Sequence, residues 1–387
     1  MDLRLFFNPV SEELFDNIKK QGSFYKSIKV YTEVFPDYKE ADIALIGISD
    51  KHNSDEEHGL WEGADAIRKK LYRLTKGSGA YKIVDLGNIS ETIDIEQSYG
   101  RVQEVCRACI ENNTLPVLIG GSHDFSYEQY KAYEEMEKLI SIINVDAFLD
   151  MEEPEASPNT NFVQKILMHQ PNYLFNYSHL AYQSYLVSQQ AVNILERLHF
   201  EAHRIGALRH DIKEMEPIIR QADMMSFDVT AIKSADFPAS EKAQPFGLTG
   251  EEACQLCWYA GINDKLSSVG FFEFDPWLDD QSEKSASVLA TMIWYFIEGF
   301  YHRKDHTDFR SNDYAKYVVT MPEDETDDHI IFYKSLVSEK WWMEIPNPND
   351  KKIYNRNFIV PCSYSDYEQA MKGEIPERWV AMHAKLF

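Results

Sequence analysis

A chain of 387 residues is long enough for one large α/β domain or two smaller ones. With 39 Lys and Arg against 63 Asp and Glu, its formal net charge is −24, which argues against a general binder of nucleic acid or of acidic membranes. The low counts of Gly (17) and Pro (15) do not suit a disordered or repetitive chain.

The opening residues, MDLRLFFNPVSEELF, lack the basic start and apolar core of a secretion signal. Residues 1–40 are mixed and aromatic and read as a lead-in packed on the main domain. ADIALIGIS (41–49) reads as a buried strand, followed by a polar loop and a helix over GADAIRKKLYRLT (63–75). YKIVDLGNI (81–89) is the next strand and IDIEQSYGRVQEVCRACIENN (93–113) the next helix. LPVLIGG (115–121) reads as a strand, FSYEQYKAYEEME as a helix, and LISIINVDA as a strand. The same alternation gives a helix over 182–199, a strand over 203–208, a helix over 211–222 and a strand over 223–232. TGEEACQLCWYAGIN reads as a helix, VGFFEFDP (269–276) as a strand, and SASVLATMIWYFIEGFYHRK (285–304) as a long apolar helix. Glu298 interrupts that last run, so it reads as a buried helix of the fold, and no stretch reaches the roughly 18 apolar residues of a membrane span. Short apolar runs alternating with helices predict a parallel sheet with helices on both faces. Residues 305–387 change character, with short aromatic strands and polar turns, and read as an appended region.

Five cysteines do not make an even disulfide framework, so a reducing, cytoplasmic setting is expected. Cys106 with Cys109 and Cys254 with Cys257 have the spacing of zinc ligands, but both pairs fall in helical patterns with no tight turn after them. Packed or half-buried thiols are the expectation.

Ligands of open α/β sheets gather beyond the carboxyl ends of strands. Three such ends are rich in metal-binding groups: LIGGSHD with His123 and Asp124, NVDAFLD with Asp146 and Asp150, and SFDVT with Asp228 and Thr230. Carboxylates with an imidazole suit Mn²⁺. Isolated acids at strand ends also cap helices or face solvent, so the pattern counts only as a set.

These segments resemble the ureohydrolase family of arginases, agmatinases and formimidoylglutamases. GADAIR is similar to the family's GPxAIR, LIGGSHD to GGDHS or GGGHE, VDAFLD to DAHxD, and SFDVT to SxDxD. FGLTGEE (246–252) is similar to GGLxxxE and FEFDP to VEVNP. The resemblance spans most of residues 40–300. It implies a three-layer α-β-α fold around a doubly wound, mainly parallel sheet of about eight strands, in a main domain over 41–304 and often in a homo-oligomer. It also implies two Mn²⁺ ions bridged by a hydroxide that attacks a guanidino, amidino or formimino carbon.

Carried over position by position, the resemblance puts one metal on His123, Asp146, Asp150 and Asp228. The two ligands private to a second metal fall on Phe148 and Thr230, neither of which suits the task. The resemblance thus leaves room for one Mn²⁺ and not for a second, or for none in a catalytically inactive relative. Asp124 offers at most a replacement carboxylate. Glu273 matches the carboxylate that meets the substrate's cationic carbon–nitrogen group, and Asp150 and Glu273 are the expected catalytic residues. Asn159 and Asn161 stand in the loop of the family's amino-acid-binding residues, MEEPEASPNTNF, which lacks the family's His. Lys233 and Ser234 replace the usual Asp-Pro after SxDxD. Two functions follow: a divergent, metal-dependent hydrolase of a linear carbon–nitrogen bond, with a small cationic or amino-acid-like substrate such as formiminoglutamate, or a catalytically inactive relative serving in binding or assembly.

Overall fold

A computed structural model describes residues 2–49, 59–136, 138–152, 157–305, 308–321, 329–346 and 358–386. The polar loop expected after residue 49 lies almost wholly outside these, as do residues 153–156 of the loop after Asp150. The main sheet contains β1 (Phe7–Asn8), β2 (Lys29–Val30), β3 (Ile43–Ile48), β4 (Ile83–Ile89) and β5 (Leu115–Ile119). It continues with β6 (Ile140–Val145), β7 (Leu174–Tyr182), β8 (Glu201–Arg204), β9 (Met224–Asp228) and β10 (Ser268–Phe272). Their order is β1-β4-β3-β5-β10-β9-β6-β7-β8, with β2 also on β4. From β3 to β10 every pairing is parallel, and only the two-residue β1 runs antiparallel.

Side-chain alternation assigns the layers. On β3, Ile43 and Leu45 face one core while Ala44, Ile46 and Ile48 face another. The first core takes the helices Gly63–Leu71, Gly250–Gly261 and Lys284–Tyr301; the second takes Ile95–Glu111. Phe162 and Val163 of the helix Pro158–Met168 and Leu195 of the helix Gln189–Arg197 close a third cluster over the β6–β7 end. Glu298 is buried in its helix and accepts hydrogen bonds from Ser78 N (3.1 Å) and the Tyr81 hydroxyl. No described helix is long and apolar enough to cross a membrane. Cys106 and Cys109 sit in one core and Cys257 in the other; burial pushes the Cys109 thiol up to about 12.

Three expectations need correction. The strand placed at 203–208 ends at Arg204, and Ile205–His210 is helical, with Leu208 turned into the core. The helix placed at 182–199 starts only at Gln189, where the Ser188 side chain accepts from Ala191 N and caps it. The chain before it is the nine-residue β7, whose Asn176, Ser178 and His179 hide it from an apolar pattern although all three are buried. The loop after Asp150 likewise contains a helix, Pro158–Met168, opened by a proline in its first turn.

Arg68 of the GADAIR segment is completely buried. Its Nε and Nη2 grip Asp85 at 2.9 and 2.8 Å, and Tyr72 donates to the same carboxylate at 2.8 Å. Burial would lower the Arg68 pKa, but Asp85 outweighs it and holds the guanidinium above its ordinary value. This pair locks the helix Gly63–Leu71 onto β4.

Beyond the main sheet, β11 (Tyr314–Thr320), β12 (His329–Ser335), β13 (Trp341–Ile345) and β14 (Phe358–Cys362) form a second, antiparallel sheet with the helices Tyr364–Met371 and Glu377–Leu386. Arg220 donates to Trp341 O (3.0 Å) and Cys362 O (3.1 Å), with its guanidinium 4.3 Å from the Trp342 ring centre. Lys340 reaches Ile262 O at 2.9 Å. These contacts lie on segments that lead into β9 and β10, at the amino ends of the strands.

Replacing Arg68 by Met leaves Asp85 buried and short of its cation. The expected loss is about 3–5 kcal/mol of stability, read as a lower urea midpoint, with the Asp85→Asn/Arg68→Met pair less damaged than Arg68→Met alone.

Candidate metal centre

Four neighbouring strands, β5-β10-β9-β6, end at the same edge of the sheet. Past β5, Gly120 (φ 83°) and Gly121 (φ 77°) turn the chain sharply, and a Cβ on Gly121 would lie 2.6 Å from Ile48 Cγ2. That turn delivers His123. Asp146 follows β6, Asp228 ends β9, and Glu273 follows β10. Asp150 and Glu273 hold left-handed backbone conformations (φ 46° and 67°), which non-glycine residues adopt at a cost.

His123, Asp146, Asp150 and Asp228 are all buried, and one ligand atom from each lies within 4.8 Å of the others. His123 Nδ1 stands 3.3 Å from Asp146 Oδ2, 3.4 Å from Asp150 Oδ2 and 3.2 Å from Asp228 Oδ2. The His123 Nδ1 and Asp146 Oδ2 atoms have no hydrogen-bond partner although both are buried. Unpaired buried polar atoms converging on one point are costly unless a cation joins them. Hard carboxylate oxygens with one imidazole suit Mn²⁺. The four residues therefore fit one divalent ion.

Neighbouring groups set the cage's geometry. His123 Nε2 lies 2.7 Å from Ser226 Oγ, which lies 2.6 Å from Ser126 Oγ. Using Nε2 in that bond leaves Nδ1 for the cage. The imidazole is packed between the rings of Phe162 (4.4 Å) and Phe272 (5.5 Å). His179, neutral because burial drives its pKa down to about 4, lies 3.1 Å from Asp146 O through Nε2. Burial opposes a charge on His123, but the three carboxylates outweigh it and hold its pKa well above the ordinary value. Burial and then Asp150 raise Asp146; burial and then Asp146 raise Asp228.

The second oxygens of the shared carboxylates are already engaged. Asp146 Oδ1 accepts from Thr230 Oγ1 (2.9 Å) and Phe148 N (3.0 Å), and Asp228 Oδ1 accepts from Thr230 N (2.7 Å). Phe148 is half-buried beside them. Thr230 thus acts as a hydrogen-bond donor where the family pattern has a carboxylate. Asp124 points elsewhere: Ser122 Oγ and the Tyr99 hydroxyl donate to it, and it is outside the cluster.

Glu273 lies at the rim and accepts from His123 N at 2.7 Å. Burial and then the Asp228 charge push its carboxyl up to about 8, against the pull of His123 and Lys242. Asn161 is buried one residue before Phe162, and Asn159 is half-buried in the first turn of the same helix. The sequence pattern did not single out Ser226 as the partner of His123, His179 or Lys242. Ser226 lay within SFDVT, but His179 and Lys242 carry no motif.

The family model described as "Arginase: Arginase family" matches residues 41–298. The chain belongs to the arginase family. Among curated members it is 26% identical over 254 residues to the formimidoylglutamase of Staphylococcus carnosus, covering 62% of this chain and 79% of that one. The fold also matches solved members. A Bacillus subtilis formimidoylglutamase has a TM-score of 0.66 at 19% identity, covering 75% of this chain and 96% of that one. A Trypanosoma cruzi formiminoglutamase solved with Mn²⁺ has a TM-score of 0.63 at 21% identity, covering 70% and 97%. This arginase-family chain has its metal-suited cluster on the strand ends that the motifs indicate.

Two measurements probe the cage. Ser226→Ala is expected to weaken Mn²⁺ binding about 10–100-fold without unfolding the chain, and Asp228→Asn to abolish it, both read by equilibrium dialysis. Because the carboxylates hold protons on the His123 side of the cage, an entering cation displaces them, so affinity is expected to fall as pH falls. Calorimetry in buffers of different ionisation enthalpy would show the proton release directly.

Proposed function

We propose that this chain is a single-metal hydrolase of formimino carbon–nitrogen bonds, with a formiminoglutamate-like substrate. The observation that carries the reading is the four-residue cage with its converging, unpaired His123 Nδ1 and Asp146 Oδ2. The formimidoylglutamase relatives support the substrate class. His123, Asp146, Asp150 and Asp228 would hold one Mn²⁺, which when bound would supply a water that is nucleophilic near neutral pH. Asp150, at 8% the most exposed of the four, accepts the water's proton. Glu273 orients the cationic carbon–nitrogen group at the rim, and Asn159 and Asn161 contact the amino-acid end. The Asp146 Oδ1 bonds to Thr230 and Phe148 N leave that carboxylate one free oxygen, which supports a single ion. One cation activates water less than a pair does, so a reactive formimino group is a better substrate than a resonance-stabilised guanidinium. The same engaged oxygen favours a second reading, an inactive relative that keeps one structural cation.

Incubation with Mn²⁺ and a panel of formimino, amidino and guanidino compounds tests this. Formamide release from formimino compounds is expected, with guanidino compounds slower by orders of magnitude. Asp150→Asn is expected to lower kcat about 10²–10⁴-fold. If the metal-loaded wild type and the Phe148→His/Thr230→Asp variant both release nothing, the catalytic reading fails and the binding role stands.

A further inference from the structure

The loop between β9 and the helix Gly250–Gly261 brings a cation to the rim of the cage. Lys242 Nζ lies over the Phe148 ring, 5.8 Å from its centre. It makes no ion pair among the described residues, yet it is near enough to Glu273 for its charge to be felt there. The loop that carries it is fixed. Ser234 N donates to Gln244 O (2.6 Å), Gln244 Nε2 to Lys242 O (2.6 Å), and Gln183 Nε2 to Phe246 O (2.7 Å). Phe148 itself is anchored through its N–H to Asp146 Oδ1, while the other oxygen of that carboxylate turns to His123 Nδ1.

We propose that the Lys242 ammonium is the second positive charge of this site, held over Phe148 where no second metal can be bound. The inference rests on the single-cation reading above. Charge balance supports it. Asp146, Asp150 and Asp228 bring three negative charges when ionised, and one divalent cation leaves an excess of one. An ammonium at the rim offsets that excess, and it needs no ligand from Phe148 or Thr230. A lysine also has a physical advantage here: its charge is covalently fixed to the chain, and an aromatic face supports a cation without donating a lone pair.

Manganese binding tests this without reliance on turnover. Wild type, Lys242→Met and Lys242→Arg are titrated with Mn²⁺ under equilibrium dialysis. Each is expected to hold one ion per chain. Lys242→Met should bind it about three- to tenfold more tightly, because a repelling charge is gone, and Lys242→Arg should stay near wild type. Phe148→His/Thr230→Asp should hold a tight second ion only when Lys242→Thr is added. Wild-type affinity in Lys242→Met overturns the lysine's role. So does a double variant that takes two ions as tightly as the triple one. If the wild type binds no Mn²⁺, the single-cation reading itself falls. If it binds one ion to which the Lys242 variants are indifferent, only the lysine's role falls.

Discussion

Three carboxylates buried within reach of one imidazole nitrogen are the constraint around which this fold is arranged. Like charges in a low-dielectric pocket repel, and each of Asp146, Asp150 and Asp228 is buried. Their closeness is imposed by the sheet. Asp228 ends β9 in register with Phe272 of β10, and Phe227 is in register with Val145, one residue before Asp146. No local preference of the chain would gather these acids. Their convergence comes from the parallel pairing of strands far apart in sequence, and the Arg68–Asp85 pair secures one edge of the same sheet.

Asp146 shows how the site divides its work. One oxygen turns toward His123 Nδ1, and the other accepts from Thr230 and Phe148 N, so hydrogen bonds orient the carboxylate on the side away from His123 Nδ1. Its backbone carbonyl is held by His179, which stays neutral through burial. Thr230 is thus more than a lost ligand. By donating its hydroxyl proton it gives a buried carboxylate oxygen a second hydrogen bond beside that from Phe148 N. The strained backbone at Asp150 and Glu273 belongs to the same economy of position, because both residues are turned against conformational preference to face the cage.

Much of this was legible in the sequence, and the reason is specific. The strands β5, β6 and β9 are largely apolar runs that lead directly into Gly-Gly or end on Asp, so their type and their chemical ends can be read together. The four cage residues were identifiable because each follows such a run. β7 was not legible, because its interior polar residues pair with one another, as Tyr177 does with His179 at 3.0 Å, and a hydropathy pattern registers them as loop. The helix Pro158–Met168 was hidden behind an acidic, proline-containing stretch. Lys242 was illegible for another reason: its position over Phe148 depends on how a long loop folds back onto β9, which no local periodicity encodes.

The placement of the C-terminal unit separates stability from chemistry in this chain. Arg220, Lys340 and Lys385 tie it to the main domain through backbone carbonyls and to Asn176, all on segments before the strands begin or at their first turns. The cage lies at the other ends of those strands. The described contacts of this appended region thus lie at the amino ends of the strands, on the side of the sheet away from the cage. Among the described residues, Glu273, the helix carrying Asn161 and the loop that presents Lys242 stand on the carboxyl side of the sheet with the cage. These loops can change without disturbing the sheet that gathers the four cage residues.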